Sequence, residues 1–172
     1  MQYYINAIKN YANFKGRARR KEYWMFTLFN IIFVIVAMIL DSALGDTFKS
    51  PLTGLNTHYG FIYLAYSLFV FIPGLSVLVR RLHDIGKSGK LLLWVFLIYF
   101  VVFIIAGFLT YGSEVALVPL VHFIGGIGAG IWMLVLLCTD SLPGPNKWGP
   151  NPKGVGNIDE FDFMSDPNAQ GS

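Results

Sequence analysis

Four long apolar runs divide the chain, at about residues 23–44, 58–79, 91–111 and 117–138. Each is close to the roughly 20 residues that cross a hydrocarbon core about 30 Å thick. The segments between them are short and polar. This alternation predicts an all-α membrane protein: a bundle of four transmembrane helices with a short N-terminal amphipathic helix and an irregular C-terminal tail. Tyr23 and Trp24 open the first run, where aromatic rings favour the headgroup region. The run from Met25 to Leu40 is long for a signal peptide and the basic region before it is longer still, so it reads as a retained helix. Asn30 stands inside it and is expected to hydrogen-bond across helices. Gly45, Pro51, Gly54 and Asn56 mark a loop. Pro73-Gly74 predicts a kink in the second run, tolerable where neighbours satisfy the freed carbonyl. Arg80 to Lys90 reads as a polar loop, and Gly112 to Ala116 as a tight turn.

Residues 1–22 form a basic segment. Tyr4, Ile5, Ile8, Tyr11 and Ala12 recur at helical spacing, which predicts an amphipathic helix on the membrane surface. Residues 139–172 form the tail, expected to be disordered from about 154 on its polar composition. In the fourth run, Gly126 and Gly130 make a small-xxx-small pair that permits close helix packing.

Composition supports the membrane reading. The 172 residues are 55% hydrophobic and only 13% charged, against roughly 25% charged in soluble domains. The net charge is +3 and the pI about 9.0. The basic residues flank the apolar runs, a pattern of topology and anionic lipid that argues against nucleic acid as a partner. With four spans, the N-terminal segment, the middle loop and the tail share one side and hold 12 of the 13 Lys and Arg residues; Lys49 alone lies opposite. The positive-inside rule puts that basic side, and both termini, in the cytoplasm. Cys138 is the one cysteine, so an internal disulfide and a cysteine zinc site are excluded.

Three motifs fall on the basic side: Phe14-Lys15-Gly16-Arg17-Ala18-Arg19-Arg20-Lys21-Glu22-Tyr23-Trp24, Arg80-Arg81-Leu82-His83-Asp84-Ile85-Gly86-Lys87-Ser88-Gly89, and Pro143-Gly144-Pro145-Asn146-Lys147-Trp148-Gly149-Pro150-Asn151-Pro152. In this order around four apolar runs, they resemble DUF805, a family of small bacterial inner-membrane proteins known as a domain of unknown function. The resemblance covers roughly residues 10 to 153. It implies an inner (plasma) membrane location and no assigned activity.

Gly86-Lys87-Ser88 ends like a phosphate-binding loop, but Arg81 stands where that loop needs Gly and no strand precedes it. A turn between two spans is the better reading. His83-Asp84 lacks nearby partners for a metal site, since His58 and His122 map to the other side. The charges at the basic boundary instead suggest a paired network, or a lipid-headgroup site, of Arg17, Arg19, Arg20, Glu22, Arg80, Arg81, His83 and Asp84. Arg17, Arg19 and Arg20 are expected to dock against Asp84 and Glu22, with Pro143 to Pro152 lying across them as a cap. Asp41, His58, Glu114 and His122 form a candidate polar cluster at the outer end. No nucleophile–base constellation, cofactor motif or metal set is legible. The expectation is a non-enzymatic structural or interaction protein, with lipids, further copies of itself or another membrane protein as partners. A small transporter or channel subunit is the rival, weakened by the lack of a charge near the middle of any run. A membrane enzyme is a third.

Overall fold

A computed structural model describes residues 2–45, 47–49, 55–109 and 117–157; the side chains of 109, 117–119, 121 and 122 also fall outside the description. Five helices follow in order: α1 (Gln2–Lys9), α2 (Arg20–Leu44), α3 (Phe61–Asp84), α4 (Lys90–Leu109) and α5 (Leu117–Cys138). Among the described residues the only β pairing is two isolated bridges, Lys49 with Asn56 and Asn146 with Gly149. Three helical stretches are long and apolar enough to cross a membrane: α2, α3 and Lys90–Phe108 of α4. In α5 the described apolar stretch is Phe123–Cys138. Asp46 and the loop containing Glu114 lie outside the described residues, as does the tail from 158.

α2 and α3 run antiparallel and form the centre. At one end Arg80 on α3 meets Glu22 on α2; at the other, Asp41 on α2 meets the first turn of α3. The start of α3 therefore depends on another helix. Its N-cap, Gly60, has no side chain to offer, and the first amides of a helix have no partner within it. Asp41, fully buried, accepts from the amides of Gly60 (2.9 Å), Ile62 (3.0 Å) and Tyr63 (2.9 Å). This cap explains why the helix starts at Phe61 and not near 58.

α3 passes through Pro73 as continuous helix. Proline removes the bond to the carbonyl four residues back, which is that of Phe69. The Tyr11 hydroxyl donates to that carbonyl at 2.9 Å, and the two rings lie 5.7 Å apart. α3 also runs five residues further than the apolar pattern indicates. Arg80 to Asp84 form its last turn, not a loop. Gly86, at φ +74, ends it, and a Cβ there would meet Leu142 at 2.5 Å. Gly89 packs on Val79, where a Cβ would approach to 2.7 Å. These two glycines account for Gly86-Lys87-Ser88-Gly89 as a turn.

Part of the apolar stripe of α1 packs on protein. Eight residues are too few for a stable isolated helix; Tyr4, Ala7 and Ile8 pack against α2 and α3, while Ile5 stays exposed. Ala7 is buried against Phe26 and Val77. The Tyr4 ring packs on Phe26, Phe29 and Phe33. Phe33 stands thirteen residues, roughly 20 Å, along α2 from Arg20. Tyr66 donates to Asn30 Oδ1 at 2.6 Å, and the Tyr4 hydroxyl lies 3.2 Å from that of Tyr66. Asn30 thus bonds across helices.

α4 and α5 make a hairpin beside this core. Among the residues of α4 whose side chains are described, none is buried. Gly126 packs against Tyr99 of α4, where a Cβ would lie 3.0 Å from the hydroxyl, while Gly130 faces open space. The small-residue pair is therefore split: one glycine serves packing within the chain and the other does not.

Candidate functional site

The first two basic-side motifs meet at one carboxylate, and the third joins them through Arg17 and His83. Asp84, at the end of α3, is fully buried. Its Oδ1 accepts from Arg17 Nε at 3.0 Å. Its Oδ2 accepts from Arg81 Nη1 and from the Ser141 hydroxyl, each at 2.5 Å. Arg17 and Arg81 are themselves buried. Two guanidinium groups against one carboxylate leave an excess positive charge in a dry place, and backbone oxygens answer it. Arg81 donates through Nε and Nη2 to the Leu137 carbonyl, both at 3.2 Å, and through Nη2 to that of Thr139. The last carbonyls of a helix lack partners and carry partial negative charge, so Arg81 caps α5 from a neighbouring helix. Arg17 donates to the carbonyls of Leu142 (2.6 Å), Gly144 (2.7 Å) and Asp84 (3.3 Å). One cluster therefore clasps the N-terminal segment, the end of α3, the end of α5 and the start of the tail.

The backbone closes the same joint. The Ala18 amide donates to the Arg80 carbonyl at 3.0 Å and the Leu142 amide to the Asp84 carbonyl at 3.1 Å. The tail then folds over His83. The Trp148 ring stacks on the imidazole with centroids 4.4 Å apart and planes within 10°. Lys147 Nζ lies 4.3 Å from the Trp148 ring centre. Asn146 donates to the His83 carbonyl at 3.0 Å, and His83 Nδ1 lies 3.2 Å from the Gly16 carbonyl oxygen. Buried Asn151 donates to the carbonyls of Leu142 and Val155, and its amide donates to Asn157. The tail is therefore hydrogen-bonded as far as Asn157, beyond the point where disorder is expected from composition.

The remaining charges sort differently from the expected docking. Glu22 pairs with Arg80 at 3.0 Å, not with the N-terminal arginines. Arg80 Nε and Nη2 are buried and meet no acceptor among the described residues. Arg20 pairs with Asp140 at 3.3 Å and donates to the Cys138 carbonyl at 3.1 Å; Cys138 itself is exposed. Asp140 also takes Lys153. The bond from Lys153, more than any other influence, holds the Asp140 carboxyl below its ordinary range. Arg19 is exposed and forms no ion pair among the described residues.

At the far end, Asp41 is occupied by the α3 amides and does not reach His58. His58 Nδ1 lies 3.4 Å from Ser42 Oγ. Glu114 and the side chain of His122 lie outside the described residues. Among the described residues no group of three His, Cys, Asp or Glu is placed to hold a metal ion.

Sequence reasoning did not anticipate Ser141, Asp140, Asn151 or the carbonyls of Leu137 to Gly144 as parts of the cluster. Only the position of Thr139-Asp140-Ser141, directly after the fourth apolar run, hints at two of them.

The DUF805 family, described as a protein of unknown function, matches residues 11–150. The chain is 37% identical to the inner membrane protein YhaH of Escherichia coli strain K12 over 155 residues, which are 89% of this chain and 98% of that one. It is 35% identical to the inner membrane protein YhaI of the same strain over 153 residues, 89% and 97% of the two chains. No solved structure matches the chain.

Proposed function

Because this chain belongs to the DUF805 family, for which no function is assigned, we propose that it works as a non-enzymatic structural or interaction component of the bacterial inner membrane, with four spans and both termini in the cytoplasm. YhaH and YhaI are named as inner membrane proteins and align along nearly all of their length. α5 supplies the fourth span: its 22 residues reach about 33 Å at 1.5 Å per residue. Orientation follows from the 12-to-1 division of Lys and Arg.

The observation that carries the reading is how far the clasp spends its own charges. Arg17, Arg81 and Asp84 bond to one another and to backbone carbonyls, so their chemistry is spent holding the chain together; beside them Arg80 keeps two buried guanidinium nitrogens without an acceptor among the described residues. A catalytic or transport site needs groups that face a substrate. Here Arg17, Arg81 and Asp84 are enclosed, and the tail lies over His83. What the cytoplasm meets is a hydrogen-bonded cap of Pro143 to Asn157, which suits attachment to another component better than turnover.

Two experiments test this. A reporter active only in the periplasm, fused after Lys49 and after Ser172, should be active at the first position and silent at the second; activity at Ser172 overturns the orientation. Liposomes containing the full chain should leak protons and potassium no faster than empty ones. A flux above the empty control replaces the interaction role with that of a channel or transporter subunit.

A further inference from the structure

We propose that the recess bounded by Tyr3, Arg19, Arg20, Lys21 and Lys153 binds the phosphate of an anionic phospholipid headgroup, an inference that rests on the membrane orientation proposed above. The recess measures about 340 Å³. Four of its five walls are cations. The carboxylate found against them is Asp140, shared by Arg20 and Lys153, so four positive charges face one negative and three are left over.

Among the described residues no further carboxylate answers this surplus. Arg19 forms no ion pair there, and Lys21 rests with Nζ 5.6 Å from the Tyr3 ring centre. The contrast with Arg17 is instructive. Arg17 stands two residues earlier, yet its guanidinium is enclosed and saturated by Asp84 and three carbonyls. A headgroup has no access to it. The N-terminal arginines thus divide into one that holds the fold and a pair beside an open, positively charged recess.

Depth selects lipid. Arg20 is the first residue of α2, and Tyr23 and Trp24 follow within one turn. Trp24 is exposed, and exposed aromatic rings at a helix end settle among headgroups. The recess therefore opens at headgroup level. Arginine presents a planar fork to phosphate oxygens, and lysine adds a point charge. No side chain caps the α2 start, so its free amides add to the positive potential.

The test uses the full chain in detergent, titrated with phosphatidylglycerol or phosphatidylcholine, with lipid adducts counted by native mass spectrometry. The parent should retain phosphatidylglycerol well above phosphatidylcholine. A cation at an anionic surface contributes about fivefold in affinity. Arg19→Gln with Lys21→Gln should therefore weaken phosphatidylglycerol retention more than about tenfold, with a lipid-free melt like that of the parent. Lys15→Gln with Lys87→Gln removes the same charge elsewhere on the basic side and should cost less than about twofold. Equal loss in the two double variants, or no preference between the lipids, overturns the site. Inorganic phosphate that displaces the lipid at millimolar concentration, with the same sensitivity to Arg19 and Lys21, overturns the lipid as the source of the anion. Failure of either kind with a silent reporter at Ser172 leaves the orientation standing and removes only the lipid site.

Discussion

Replacing Asp84 by Asn keeps the size of the side chain and removes its charge. Arg17 Nε still finds a neutral oxygen at the Oδ1 position, 3.0 Å away. At the Oδ2 position an NH2 group now confronts Arg81 Nη1 and the Ser141 hydroxyl, both 2.5 Å from the oxygen it replaces. The hydroxyl can turn to accept; the guanidinium cannot. The buried charge rises from one to two, with no anion enclosed beside it. Removing one partner of a buried ion pair costs about 3–5 kcal/mol. The carbonyls of Leu137, Leu142 and Gly144 stay in place and hold the loss toward the lower figure. For a chain of this length each kcal/mol moves the melting temperature by roughly 2–4 °C. The variant should therefore melt about 6–15 °C below the parent when tryptophan fluorescence is followed on heating in detergent. Arg81→Gln should also melt early, because it strands both Asp84 and the end of α5. The two changes strike one cluster, so the double variant should fall short of the sum by about 1 kcal/mol or more. A melt of Asp84→Asn within about 2 °C of the parent, a shift worth no more than about 1 kcal/mol, would mean that the clasp is a solvated charged face.

Three further outcomes follow from other parts of the molecule. Asp41→Ala removes the borrowed cap of α3 and should destabilise by about 1–2 kcal/mol, seen as a lower melting temperature; an unchanged melt means water replaces the carboxylate. Tyr11→Phe deletes the donor to the carbonyl that Pro73 frees, and should cost about 1–3 kcal/mol with the ring packing kept; a neutral result shows that α3 satisfies Phe69 without the N-terminal segment. The purified chain should not bind ATP, because Gly86 and Gly89 serve a helix-to-helix turn; saturable micromolar binding lost in Lys87→Ala refutes that reading.

The membrane class and the family were legible in the sequence. Apolar runs and flanking charges act locally: a twenty-residue apolar stretch partitions into lipid whatever its neighbours do, and the three motifs are read along the chain without knowing where they meet. Helix ends were less legible, because partners distant in sequence set them. Asp41 positions the start of α3 across nineteen residues, and Arg81 caps α5 from another helix. The pairing of charges was legible only in part. Asp84 was the natural counter-charge, being the single carboxylate of the middle segment, but five arginines competed for it. Which of them won depended on register. Arg81 lies one helical turn back from Asp84 on the same face. Arg17 reaches it because the Ala18 amide bonds to Arg80. Arg20, one helix start later, points to Asp140 instead. The short N-terminal helix shows the same division. Its amphipathic spacing is a property of the sequence, but that spacing does not say whether lipid or protein covers the apolar side. For Tyr4, Ala7 and Ile8 the tertiary structure supplies protein, because Phe26, Phe33 and Val77 offer a surface to pack on and Tyr66 offers a hydrogen-bond partner that lipid lacks, while Ile5 stays exposed.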